Sequence, residues 1–253
     1  MTAAAVKSAL DSRVEPGRKA KNEWFFKSGP GHYSEGDEFI GVRAPDQRAV
    51  AKSFRDLALN EVKKLLNSPV HEHRLTAAMI LTYQYNQKTA KVVYDFYMDT
   101  ALYGTTRQVA PDFRVEDRRK GIDNWDIVDS SAHKIVGRYL ADKSDRSILY
   151  DLADHPGLWQ NRVAMVATWW FIDKRGELDD CFALAEKFLT HKHDLMHKAT
   201  GWMLREAGKQ DESALMSFLD EFAPRMPRTM LRYAIERLPP PVRTRYMGVK
   251  LAK

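Results

Sequence analysis

The sequence predicts an all-α protein of stacked helical pairs, and three observations carry that expectation. Apolar residues recur at intervals of three and four, as in Leu57, Leu59, Val62, Leu65 and Leu66, and again in Phe182, Leu184, Ala185, Phe188 and Leu189; this is the spacing of one helix face. Neither Asn-Gly nor Asp-Gly occurs, and no run alternates apolar and polar residues between turn signals, so the cues for hairpins are missing. Third, similar segments recur. His73 to Met79, Asn161 to Ala167, His197 to Trp202 and Pro227 to Arg232 each open on polar or basic residues, or just before one, and then enter a helix of small and apolar residues. From Arg162 to Lys198 is 36 positions, and the same step back from Arg162 reaches Asp126, at the start of a comparable helix from Trp125 to Leu140. A period in the mid-thirties to forties marks a HEAT-like helical-repeat superhelix, an α-solenoid, whose concave face suits a long curved ligand. Arg74 to Asp126 spans 52 positions, so an insertion around Tyr103 to Arg119 must interrupt the register.

Breakers separate the helices: Ser28-Gly29-Pro30-Gly31, Ser68-Pro69, Pro111, His155-Pro156-Gly157, Arg175-Gly176, Gly208 and Pro239-Pro240-Pro241. No Gly/Ser linker divides the chain, so residues 1–253 read as one helical-repeat domain. Residues 1–20 are expected to be loosely ordered, and 240–253 to form a basic C-terminal tail. With 44% hydrophobic and 29% charged residues over 253 positions, the composition is that of a globular protein and excludes a disordered or fibrous one. The longest nearly apolar run, Val163 to Ile172, is ten residues, about half of the ~20 that a membrane span needs. The start, MTAAAVKSALDSR, turns charged before a signal-peptide core has formed. One cysteine, Cys181, leaves no internal disulfide framework and no cysteine-based zinc cluster. A cytoplasmic protein, nucleoid-associated when bound to DNA, is the expected location.

Net charge is +6, and it is unevenly spread. From Arg225 onward eight Lys and Arg stand against Glu236 alone, which is +7, so everything before sums to −1. A one-sign block attracts polyanions, DNA being the commonest. A solvated basic tail accounts for the same block equally well.

Three helices carry unusual residues at matching repeat positions. Trp125 and Asp129 are four apart and project from one helical face. Arg162 begins the corresponding helix of the next repeat, and Trp202 follows Gly201 in the one after. A glycine within a helix costs about 1 kcal/mol against alanine and is best tolerated where something approaches the backbone closely. Taken singly, each has a structural reading: the tryptophans as core, Asp126 and Asp129 as caps or first-turn dipole partners, Arg162 as an ion-pair partner. Their joint placement one repeat apart is what points to a site. Histidines supply three further readings. His191, His193 and His197 include an i, i+4 pair able to bind zinc, but no Glu stands as in His-Glu-x-x-His. His71-Glu72-His73 reads as an exposed loop, and His133, four residues after Asp129, is a candidate hydrogen-bond partner for it.

The chain resembles the AlkD-type alkylpurine DNA glycosylases, HEAT-like repeat proteins of DNA alkylation repair. The matching stretches are Asn124-Trp125-Asp126-Ile127-Val128-Asp129, Leu158-Trp159-Gln160-Asn161-Arg162-Val163-Ala164 and His197-Lys198-Ala199-Thr200-Gly201-Trp202-Met203-Leu204-Arg205-Glu206, with Phe39-Ile40-Gly41-Val42-Arg43-Ala44-Pro45 similar to the family's early loop. The resemblance covers roughly residues 20–240. It implies that Asp129 is the catalytic carboxylate, that Trp125 and Trp202 line the groove as the catalytic aromatics, and that Arg162, Arg205, Arg43 and Lys198 bind DNA. Two departures stand out: Trp24-Phe25-Phe26 occupies a region where the family often carries a tyrosine, and Arg43 takes the place of a glutamine.

The chemistry fits that set. A purine alkylated at N3 or N7 already bears positive charge and leaves without a proton from the enzyme, so the second carboxyl of ordinary glycoside hydrolysis is not needed. One carboxylate is enough to stabilise the sugar's developing charge and to orient or deprotonate the attacking water. Indole faces gain about 0.5–2 kcal/mol against a cation, which favours an oxocarbenium-like transition state. The expectation is therefore a monofunctional glycosylase of N3- and N7-alkylated purines in double-stranded DNA, needing no cofactor or metal; the resemblance further implies that the base is left unflipped, and a monomer is expected as for other helical-repeat proteins. No lysine lies within a turn of Asp129 on its face, Lys134 being five positions on, which argues against lyase chemistry. The competing reading is a non-catalytic helical-repeat scaffold for DNA or protein.

Overall fold

The computed structural model describes residues 1–105 and 121–249, apart from the side chains of residues 101–105. The insertion placed around Tyr103 to Arg119 lies outside the described residues from position 106 on, as do Lys250 and Lys253. Among the described residues the regular elements are helical, apart from one isolated parallel bridge between Glu38 and Val70. The predicted all-α, helical-repeat class is the one observed. The chain divides into two compact units, Met1–Ser131 and Ala132–Lys253. The division falls inside the helical run that starts at Trp125, so no linker in the sequence marks it.

The first unit contains α1 (Ala3–Asp11), α2 (Arg18–Phe26), α3 (Ala44–Ser53), α4 (Leu59–Leu66), α5 (His71–Gln84), α6 (Ala90–Thr105) and nearly all of α7 (Trp125–Ala132). Residues 1–20 are not loose. The Thr2 hydroxyl caps α1 by accepting from the Ala5 amide, Glu61 accepts from the Ala3 amide at 2.8 Å, and Val6 and Leu10 are fully buried. The signal is a short apolar face (Ala3, Val6, Leu10) that the charged residues after it obscure. Helix α1 packs on α3, α4 and α5, while α5 also meets α6. Helix α5 is buried all round from His71 to Leu81 and is the centre of the unit.

The second unit begins with a π-helical turn (His133–Gly137) and continues through α8 (Arg138–Leu140), α9 (Ser147–Asp154), α10 (Leu158–Arg175), α11 (Asp179–Lys187), α12 (Asp194–Gln210), α13 (Glu212–Phe222), α14 (Arg228–Ala234) and α15 (Pro240–Met247). Helix α10 takes the central place that α5 holds in the first unit, packing on the π turn, α9, α11 and α12. The stretch from 240, expected as a basic tail, enters a helix instead. Pro240 occupies its first position, where a missing N–H costs nothing, and Tyr246 is buried with its hydroxyl donating to Asp220 at 2.8 Å. Lys and Arg there read as a tail only because one aromatic anchor is a weak periodic signal.

The repeated polar openings share one structural job. Each reaches carbonyls at the end of a neighbouring helix or turn, where the helical ladder no longer supplies every partner. Arg74 donates to the Ser68 and Pro69 carbonyls at 3.0 Å each, and Asn161 to those of Leu152, Ala153 and His155 at 2.8–3.1 Å. The His197 ring bonds the His191 carbonyl, and Arg228 the Met247 carbonyl. The sequence repeat is therefore a repeat of helix-end clamps.

Close approach explains two helical glycines. A Cβ on Gly137 would lie 2.2 Å from the Ala167 carbonyl oxygen, and one on Gly201 would lie 2.4 Å from that of Met230 and 2.5 Å from the Tyr233 Cβ. What approaches Gly201 is α14. Gly201→Ala is expected to destabilise the protein by about 1–3 kcal/mol through overpacking, measured by urea unfolding. Helix propensity alone predicts a gain of about 1 kcal/mol, so the sign decides which effect governs.

Candidate functional site

The expected site residues fall on four elements. Trp125 and Asp129 stand one turn apart on α7, both half-buried. Trp202, Arg205 and Lys198 lie on α12, Arg162 in the first turns of α10, and Arg43 at the N-cap of α3.

Local packing fixes how α7 begins. Asn124 is fully buried; its side-chain oxygen accepts from the Trp125 amide at 2.8 Å, while its amide nitrogen donates to Ser34 and Asp37. Asp123, just before it, accepts from Arg74 Nε at 3.0 Å. Arg74 is fully buried and also donates from Nη2 to Asp37 at 2.7 Å. Burial works against its charge, but Asp123 and then Asp37 more than offset that and raise its pKa. The segment His71-Glu72-His73, read as an exposed loop, is thus the buried first turn of α5. Its polar atoms are used internally. Glu72 accepts from the Ile40, Gly41 and Val42 amides and from Asn22. His73 Nδ1 bonds the Ser68 hydroxyl at 2.8 Å, and His71 Nε2 bonds Asp126 at 2.9 Å. The overlooked signal is the apolar run Leu75 to Leu81, broken only by Thr76: a helix apolar all round is central, so its polar opening is buried with it.

The two histidines titrate in opposite directions. Burial pulls the His71 imidazole down, but the Asp126 charge and hydrogen bond, with Asp37, outweigh it and hold the ring up at about 9. Burial pushes His73 down to about 4, with Lys7 adding to the effect.

Trp125 stacks on Phe26, ring centroids 5.6 Å apart and planes 21° from parallel, and meets the Phe25 ring edge-on at 6.0 Å. Asp129 lies near the buried Tyr97, whose hydroxyl bonds Ser131; burial raises that phenol's pKa, with the Asp129 charge adding to it. A cleft of about 700 Å³ is lined by Phe26, His71, Asp126, Arg43, Trp24 and Phe25 among others, and neither Trp125 nor Asp129 is part of its lining. Trp24 and Phe25 are 82% and 56% exposed, unusual for rings of that size.

The cations are occupied. Arg162 is only 4% exposed and donates to the Leu195 carbonyl at the head of α12. Arg205 pairs with Glu236, and Lys198 with Asp194 at 2.7 Å. Arg43 holds Glu15 at 2.7 Å and Asp46 at 3.3 Å. The Trp202 indole donates to Glu206 at 3.2 Å. The histidines weighed as a zinc site are engaged too: His191 with Asn161, His193 as the cap of α12, His197 with the His191 carbonyl. His133 lies edge-on to Trp169 at 4.8 Å. Among the described residues, no helix is long and apolar enough to cross a membrane.

The model of a family described as DNA alkylation repair enzyme matches residues 6–238. The chain belongs to that family. A solved structure, "Predicted DNA alkylation repair enzyme from Enterococcus faecalis", superposes with a TM-score of 0.63 over 90% of this chain and 98% of that one, at 16% identity, a likeness of fold. No curated protein matches. Membership of that family gives the protein a role in the repair of alkylated DNA, with DNA as its partner.

Two outcomes follow from this geometry. Arg74→Met leaves Asp37 and Asp123 without their guanidinium, and stability measured by urea unfolding is expected to fall by about 3–5 kcal/mol. Because His73 has a folded pKa of about 4, below its unfolded value, its contribution is present above the ordinary imidazole range and lost as pH falls toward 4. Unfolding free energy followed over that interval is expected to fall less steeply in His73→Asn than in the wild type.

Proposed function

We propose that the protein is a monofunctional DNA glycosylase that hydrolyses the N-glycosidic bond of cationic N3- and N7-alkylated purines in duplex DNA, without flipping the base and as a monomer. The observation that carries this reading is Asp129 one turn from Trp125 on α7, in a chain whose family match spans residues 6–238. The alkylated base carries the positive charge that makes it a leaving group. As the bond stretches, charge develops on the deoxyribose, and Asp129 stabilises it and orients the attacking water. Trp125 and Trp202 present indole faces to the same developing cation, a gain larger in the transition state than in the ground state. Arg162, Arg205, Arg43 and Lys198 contact the backbone, exchanging their internal partners for phosphates; such contacts position the duplex without reading its sequence. A cytoplasmic, nucleoid-associated location goes with this role.

The direct test is release of 3-methyladenine and 7-methylguanine from methylated DNA. Asp129→Asn keeps the shape and removes the charge, so it is expected to bind alkylated duplex as the wild type does and to lose about 100-fold or more in excision rate. Arg162→Ala is expected to weaken binding of every sequence alike, and to make the slope of log K against log salt shallower by about one. Its burial adds a stability cost, which thermal unfolding separates from the affinity change.

A further inference from the structure

We propose that His71 is a positioning residue for Trp125: its imidazole, held between Asp37 and Asp126 and packed on Phe26, sets the orientation of the indole at the head of α7. The inference rests on the glycosylase reading for its effect on catalysis, and on the geometry alone for its effect on the indole.

Two routes connect the imidazole to Trp125. The first is polar. Nε2 bonds Asp126 Oδ2 at 2.9 Å, and Asp126 follows Trp125 in the first turn of α7. Nδ1 faces Asp37 Oδ2 at 3.5 Å, and Asp37 in turn accepts from Asn124, the residue before Trp125. The second route is apolar. The Phe26 ring lies 4.6 Å from the His71 ring on one side and stacks with Trp125 on another, while Phe39 stacks on His71 at 5.0 Å. The indole is thus set from below by Phe26 and from the backbone by Asp126, and His71 touches both.

The charge state matters to this clamp. An imidazolium has two N–H groups and answers two carboxylates, whereas a neutral ring has one donor and leaves Asp37 or Asp126 facing a lone pair. The charged groups that act on the ring are Asp126 from α7, Asp37 from the loop before α3 and Arg74 from its own helix; Arg18 and Lys21 of α2, Arg43 and Glu72 line the same cleft, and α2 also packs the Phe26 ring against it. With a folded value of about 9, above the unfolded one, the clamp's stabilisation is complete below the ordinary imidazole range and is lost as pH rises through about 9. No group in the proposed chemistry touches His71, so its action is through Trp125 and not on the substrate.

The experiment is a pH titration of the full chain by NMR, following the His71 ring proton and the Trp125 indole N–H, the latter assigned by its loss in Trp125→Phe. The Trp125 signal is expected to shift with the same midpoint as His71, near 9, and the shift is expected to vanish in His71→Gln. In a single-turnover assay His71→Gln is expected to bind alkylated duplex as the wild type does and to release base at least ~10-fold more slowly, the scale of a misplaced catalytic group. A Trp125 signal indifferent to His71 titration, or an unchanged release rate in folded His71→Gln, overturns the proposal. Should the variant not fold, the wild-type titration decides alone. Absence of base release from the wild type defeats the glycosylase reading instead, and leaves the NMR outcome standing as the test of positioning.

Discussion

The fully buried Arg74 guanidinium is the interaction on which the first unit depends. It bonds Asp37 in the loop before α3, Asp123 ahead of α7, and two carbonyls of the turn after α4. A charge taken out of water is tolerated only when its donors are met; replacing the whole charged set by apolar side chains is not intrinsically costly, whereas removing the guanidinium alone strands Asp37 and Asp123. What the ion pairs supply is geometry: they specify where three irregular segments converge on α5. Glu72 adds to this by gathering three successive backbone amides of the Ile40–Val42 loop. Trp125 and Asp129 inherit their setting from this arrangement, because the residues immediately before them are held by it.

The same principle recurs in the second unit in a cheaper form. Asn161 uses one amide group to tie three carbonyls at the end of α9, and its oxygen meets His191. Neutral clamps carry less desolvation penalty than Arg74 does. Cations that the chemistry would assign to phosphate are meanwhile held by carboxylates or carbonyls of the protein itself. In the proposed function a DNA backbone brought to them competes with these internal carboxylates and carbonyls, so affinity would arise as a difference and depend on salt. The exposed Trp24 and Phe25 rings stand within the first unit, at a cleft that also contains Asp126 and Arg43.

Much of this was legible in the sequence. The three-and-four spacing gave the helices, and the recurrent polar openings gave the repeat, since a helix-end clamp needs the same residue types at the same place each time. The α7 pair, Trp125 and Asp129, followed from simple periodicity and from the resemblance. Other features were not legible. His71-Glu72-His73 reads as a solvated loop because three polar residues in a row usually are one; only the apolar run after them indicates otherwise. The order of residues 1–20 depends on α1 packing against α3, α4 and α5 and burying Val6 and Leu10, a non-local fact. The π turn at His133–Gly137 leaves no periodic trace, although Gly137 marks where Ala167 presses on the backbone. That the cations are paired is equally invisible, because their partners lie up to 33 positions away, as for Arg162 and Leu195.

The most direct measurement is a crystal structure of the protein on duplex DNA carrying a stable cationic analogue of the sugar at the lesion. The account predicts the Asp129 carboxylate facing the positively charged ring with the Trp125 indole flat against it. An Asp129 turned away from that ring, with another carboxylate or none in its place, would contradict it.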